Sequence, residues 1–163
     1  MKEILKQYAV YNAWANQRLS ELIIMLPEEQ LQRTIASSFN SIHKTLLHIW
    51  DAESIWWQRL KLSEKVIWPG TVSEYSINEI AKDLFQQDKQ WIEWVSEVSE
   101  AALNHAFAYQ NSKGEQFKQP IFQMLLHLFN HGTYHRGQLV TMLRQLGVEK
   151  IPATDFIVWS RGK

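Results

Sequence analysis

Residues 120–147 read PIFQMLLHLFNHGTYHRGQLVTMLRQLG. Met124, Leu128, His131, His135, Leu139 and Met142 recur there at spacings of three and four, one face of an α-helix. Pro120 suits the first turn of that helix, because its missing N–H would have no intrahelical partner anyway. Gly147 suits the C′ position just past its end, where the backbone turns left-handed. The segment is too long and too regularly striped for a strand. It also carries two histidines inside its apolar face.

Three further segments upstream have the same period. The first runs from about Lys2 to Leu26, with Leu5, Tyr8, Asn12, Ala15, Leu19, Leu22 and Leu26 on one face, and Pro27 ends it. A short turn over Glu28 to Arg33 and a polar stretch from Thr34 to Ser38 follow. The second helix begins at Asn40 or Ser41, both good N-caps, and ends before Trp68-Pro69-Gly70. A third starts at Ser76, with Glu79 at the capping-box spacing; its stripe is Ile77, Ile80, Leu84, Trp91, Trp94 and Val95, weakened by Gln87 or Asp88. Between Leu103 and Gln119 the period changes, and Phe107, Tyr109 and Phe117 around Asn111-Ser112-Lys113-Gly114 predict a small hairpin. The apolar tail IPATDFIVW is expected to pack back on the body. Four long amphipathic helices in 163 residues predict an all-α fold, a four-helix bundle in one domain over residues 1–163.

Composition narrows the chemistry. The chain has no cysteine, which excludes disulfides, thiolate ligands and thiolate nucleophiles. Seventeen basic residues balance seventeen acidic ones, so no basic surplus argues for nucleic-acid binding. The longest strongly apolar run, Leu22 to Leu26, is far short of the roughly 20 residues of a membrane span, and polar residues interrupt the start where a signal peptide would be apolar. The expected location is cytoplasmic. Eight tryptophans are expected mostly in the core.

Metal or covalent chemistry must then run through histidines, carboxylates, hydroxyls or amines. His131 and His135 stand one turn apart inside an apolar stripe, and two buried imidazoles need partners. Neutral imidazoles at i and i+4 form a common metal-ligand pair. His127 lies about 12 Å along the axis from His135, too far to share one ion, and is expected to be a core or hydrogen-bonding histidine. The third ligand should come from another helix, and His48 sits mid-helix between Leu47 and Ile49. His43 and His105 are expected near the surface. Asp51 and Glu53 are candidates to orient His48 or to accept a proton; their alternative reading is as solvated surface carboxylates. Tyr8, Asn12 and Trp56 are candidates to line a pocket or to fill the core. Gly132 stands where a H-E-x-x-H protease has its glutamate.

The string LHLFNHGTYHRGQLVTMLRQLG resembles the DinB family (DinB/YfiT-like metalloenzymes) in its H-x3-H-x3-H-R-G-Q element. SIHKTLLHIWDAESIWWQRL resembles the family's second-helix element, and YNAWANQRL and IPATDFIVW are similar to its start and close. The resemblance implies an up-down-down-up four-helix bundle, often dimeric, with one divalent ion per chain held by His48, His131 and His135. Zn or Ni is the expected ion, and Fe, Mn or Cu would also suit imidazole and water. It also implies a small-molecule substrate, because relatives in the wider superfamily are similar to transferases that use low-molecular-weight thiols. Three neutral ligands leave an open position, as in catalytic sites. Three readings follow: a thiol S-transferase acting on a small electrophile, a metal-dependent hydrolase, or a non-enzymatic metal-binding stress protein. Without cysteine, any thiol must arrive as a cosubstrate.

Overall fold

The computed structural model describes residues 1–111 and 113–162. Ser112, at the tip of the expected hairpin, lies outside the described residues, as does Lys163. The described chain is mostly helical: α1 (Lys2–Ile23), α2 (Glu28–Gln32), α3 (Ile42–Leu60), α4 (Pro69–Val72), α5 (Ile77–Glu97), α6 (Glu100–Asn104), α7 (Ile121–Gln145) and α8 (Phe156–Arg161). Strands β1 (Ala106–Gln110) and β2 (Gln116–Pro120) pair antiparallel, with Ala108 opposite Lys118.

The long helices start where the sequence places them. Ser41 caps α3, its side chain accepting from the Lys44 N–H. Ser76 and Glu79 close a reciprocal capping box at the start of α5. Gly147 follows α7 at φ +81°, the left-handed conformation that a side chain would strain. Three details differ. The first helix stops at Ile23 rather than Leu26, and Met25 and Leu26 turn back onto Leu22 and Ile23 ahead of Pro27. Trp68-Pro69-Gly70 opens a one-turn helix, with Pro69 in its first turn, rather than a bare turn. Ser99 caps a further short helix, α6, which seats Leu103 in the core.

Helices α1, α3, α5 and α7 pack so that α1 and α3 each touch both α5 and α7. Two apolar clusters fill the space between them. One joins Leu5 and Ala9 near the start of α1, Trp91 and Val95 near the end of α5, and Met124 to Phe129 early in α7. Its border includes Trp56 and Trp57 near the end of α3. The other joins Leu19 and Ile23, Ile42 to Trp50, Ile77 to Leu84, and Leu139 to Leu143. Each fully buried Leu or Ile contributes on the order of 1.5–3 kcal/mol by leaving water. The tail forms a third, smaller cluster: Trp159 and Phe156 pack on Tyr11, whose hydroxyl donates to the Thr154 carbonyl at 2.8 Å. Only Trp50, Trp91 and Trp159 of the eight tryptophans are buried. The expectation of a mostly internal set is therefore corrected: Trp14, Trp56, Trp57 and Trp94 are half-buried and Trp68 is exposed, because they sit where helix faces meet solvent or the hairpin.

Candidate metal centre

Helices α3 and α7 bring His48, His131 and His135 together. Each offers a ring nitrogen, and the three atoms lie within 4.8 Å of one another. The Nε2 atoms of His48 and His131 are 3.0 Å apart, close to the roughly 3.3 Å between two nitrogens sharing one tetrahedral ion. His135 is buried and the other two are half-buried, so the cluster sits at the edge of the core with access from outside.

Burial, reinforced by the neighbouring His135, lowers the His48 pKa to about 4. Burial and then the charges of His135, His48 and His127 lower that of His131 to about 3. Burial also lowers that of His135, against its hydrogen bond to Gln138. All three rings are thus neutral at physiological pH, the form that coordinates a metal. Gln138 orients the third: His135 Nδ1–H donates to Gln138 Oε1 at 2.8 Å, while Gln138 Nε2 donates to Ser38 Oγ at 2.9 Å. That leaves His135 Nε2 free to face the other two rings, the outer-shell arrangement common around metal-ligating histidines. Phe39 stacks on His48 with ring centres 3.9 Å apart and meets His135 edge-on, walling one side. The donor set fits a divalent ion.

The remaining histidines divide. His43 is half-buried rather than near-exposed, because its Nε2–H donates to the Tyr75 carbonyl at 2.8 Å. His105 is exposed at the end of α6, as a turn residue should be. His127 is exposed and its ring meets those of Trp56 and His131, which corrects the core half of its reading as a core or hydrogen-bonding histidine.

A model of the DinB family matches residues 1–160. The chain belongs to the DinB family. It is 30% identical over 153 residues to protein DinB of Bacillus subtilis (strain 168), covering 90% of this chain and 87% of that one. Its fold is similar to that of a DinB-like protein from Bacillus cereus ATCC 10987, with a TM-score of 0.72 at 22% identity over 93% of this chain and 95% of the other. A second DinB-like protein, from Bacillus subtilis, gives a TM-score of 0.66 at 16% identity over 93% and 96%.

In this DinB chain the two candidate carboxylates are buried, which overturns their reading as solvated surface groups. Asp51 Oδ1 accepts from the Gly70 N–H at 2.8 Å and so ties α4 to α3. Glu53 belongs to a polar layer that separates the two apolar clusters and draws on all four long helices: Asn12 and Asn16, Glu53, Asp88 and Arg136, each at most 3% exposed. Arg136 Nη1 donates to Asn12 Oδ1 at 2.7 Å and Asn16 Oδ1 at 2.8 Å, and Nη2 to Thr133 Oγ1 at 2.9 Å. The two asparagine amides in turn donate to Glu53 Oε1 and Asp88 Oδ1 at 2.9–3.1 Å. Gly132 makes room for this arrangement, since a Cβ there would lie 2.9 Å from both Arg136 Nη1 and Asn12 Oδ1. Neither Asp51 nor Glu53 makes a hydrogen bond to His48 among the described residues. Of the other pocket candidates, Asn12 joins the polar layer, Tyr8 stacks on Phe156, and Trp56 borders a cavity beside His127.

Two carboxylates and one guanidinium do not balance in a layer this buried unless one carboxylate holds a proton. Burial pushes Glu53 up to about 7, against the pull of Asn12, Asn16 and Arg136, and its Oε2 has no hydrogen-bond partner. Burial and the charge of Glu53 push Asp88 well up too. Folded, the pair keeps a proton that the unfolded chain has released, so this contribution is complete below the unfolded value of 4.5 and is lost as pH rises through about 7. The depressed histidines act the other way below their ordinary value of 6.5, where stability rises with pH, and a variant comparison cancels them. From pH 6 to 8, wild type should lose about 1–2 kcal/mol more than Glu53→Gln, read from urea midpoints. Parallel profiles would show that neither carboxylate of the pair titrates between pH 6 and 8.

Proposed function

We propose that this protein is a metal-dependent enzyme of the DinB type, a thiol S-transferase that directs a low-molecular-weight thiol onto a small electrophile. The observation that carries this reading is the trio of neutral imidazoles on two helices, half-open to solvent, with no fourth protein ligand among the described residues. His48, His131 and His135 would hold the ion, with Zn or Ni the expected choice. When bound, such an ion supplies a positive charge that lowers the pKa of a thiol or water toward neutrality. The chain's own residues hold the site in shape: Gln138 fixes the His135 tautomer, and Phe39 shields one face of His48 from water. With no cysteine in the chain, the sulfur belongs to the cosubstrate.

The reading includes an up-down-down-up four-helix bundle. The two apolar clusters support it, since one gathers the early parts of α1 and α7 with the late parts of α3 and α5, and the other the reverse. No helix is long and apolar enough to cross a membrane, and the reading has the protein acting in the cytoplasm as a homodimer. A panel of thiols and electrophiles, with and without added metal, tests the reaction. Turnover that needs both thiol and metal is the expected result. Metal-dependent hydrolysis without thiol would replace the transferase with a hydrolase. Absence of turnover beside a large metal-dependent rise in melting temperature would leave a metal-binding stress protein.

A further inference from the structure

A cleft near the hairpin lies apart from the histidine trio. It is an open cleft of about 630 Å³ between the end of α3, the 61–68 segment and the face of the hairpin, and Arg59, Trp68, Tyr109, Gln110 and Gln116 are among its walls. That volume falls within the range of small-molecule sites. A second cavity of about 180 Å³ shares Tyr109 with it and is bordered by Trp56 and His127. His127 in turn meets His131 with ring centres 5.9 Å apart. Side chains in contact thus lead from the large cavity to the trio: Arg59 on Trp56, Trp56 against His127, His127 against His131.

Arg59 is the uncompensated group in this wall. Its guanidinium lies over the Trp56 ring at 4.6 Å and the Tyr109 ring at 5.4 Å, which positions it and lends it cation–π attraction. It has no carboxylate within ion-pair distance among the described residues, and its Nε is buried with no hydrogen-bond partner. Glu64 and Lys65, on the rim, are exposed and of opposite sign. The segment carrying them turns at Leu62, whose φ of 54° is unusual for a branched side chain and which is 75% exposed beside the opening. A half-buried cation with spare donors, framed by aromatic rings, suits an oxyanion on an apolar body.

We propose that this cavity binds the carboxylate or phosphate end of a small aromatic or apolar anion, with Arg59 as its counter-ion. The assignment of that anion as substrate of the histidine centre rests on the function proposed above; the binding itself does not.

Titrating the intact protein and following tryptophan fluorescence tests it, since Trp56 and Trp68 border the two cavities. Benzoate or phenyl phosphate should bind saturably and at least tenfold tighter than neutral benzamide. The tighter of the two anions identifies the preferred end group. Arg59→Gln should bring the anions down to the benzamide level, and Arg59→Lys, which keeps the charge without the fork, should fall between. Equal binding of benzoate and benzamide by wild type would overturn the proposal even if Arg59→Gln failed to fold. Undiminished benzoate binding by a folded Arg59→Gln would overturn it as well. Metal content measured on the same samples separates the two ideas: anion binding without metal leaves the cavity and removes the centre, and metal without anion selectivity does the reverse.

Discussion

Arg136→Met should destabilise the protein by about 3–5 kcal/mol, the range seen when one partner of a buried charge cluster is removed. Arg136 is 2% exposed and is the only cation facing Glu53 and Asp88 in the described polar layer. Without it, the carbonyl oxygens of Asn12 and Asn16 lose their donor, and the two carboxylates retain only amide partners. Methionine fills much of the volume, so the loss is electrostatic rather than a cavity effect. In urea the midpoint should fall by roughly 2 M, at a slope of about 2 kcal/mol per molar. Adding Glu53→Gln and Asp88→Asn to the variant should restore more than half of the loss, because the uncompensated charges go with them. A single-variant loss below about 1 kcal/mol would mean that the layer is hydrated and the carboxylates are satisfied by water.

His131→Ala should abolish metal binding. Wild type purified with its metal should carry close to one divalent ion per chain by elemental analysis, and the variant less than about a tenth of that. His131 shares its Nε2 contact with His48 and its ring lies 4.3 Å from that of His135, so its loss leaves two ligands. Removing a group that only orients a ligand costs 10–100-fold in affinity, the effect expected of Gln138→Ala, and removing the ligand itself costs more. His43→Ala is the control: its imidazole is engaged by the Tyr75 carbonyl, and metal content should not change. A chelator should lower the melting temperature of wild type and leave that of His131→Ala where it is. Equal metal content in wild type and His131→Ala would remove the centre altogether.

The trio was legible because its chemistry is local. His131 and His135 fall in an apolar stripe at helical spacing, and His48 falls mid-helix between aliphatic neighbours. The long helices were legible for the same reason, through period, caps and Pro or Gly stops. The polar layer was not. Asn12 appeared inside the stripe of the first helix and Asp88 as a weakening of the third, but each alone reads as a tolerated interruption. Their meaning depends on Arg136, which follows His135 and has the look of an exposed helix residue until α1 packs across it. Gly132 was the available clue, a glycine in the middle of a long helix whose missing Cβ signals close approach. Gln138 and Phe39 were hidden for a similar reason, since their roles arise where the 33–41 segment folds over α7 and α3. The short helices α4 and α6 are one-turn structures, below the length at which hydrophobic period speaks.

The layer of Asn12, Asn16, Glu53, Asp88 and Arg136 also behaves as a vernier for the whole assembly. Apolar side chains along a helix are nearly interchangeable, and hydrocarbon alone penalises a slide by one turn only weakly. Moving α3 or α7 by one turn, about 5.4 Å, would carry Glu53 or Arg136 out of reach of its partners and into hydrocarbon. His48 lies little more than one turn from Glu53 on α3, and His135 stands next to Arg136 on α7. The axial alignment that seats the charges is therefore the one that sets the three imidazoles at a common height.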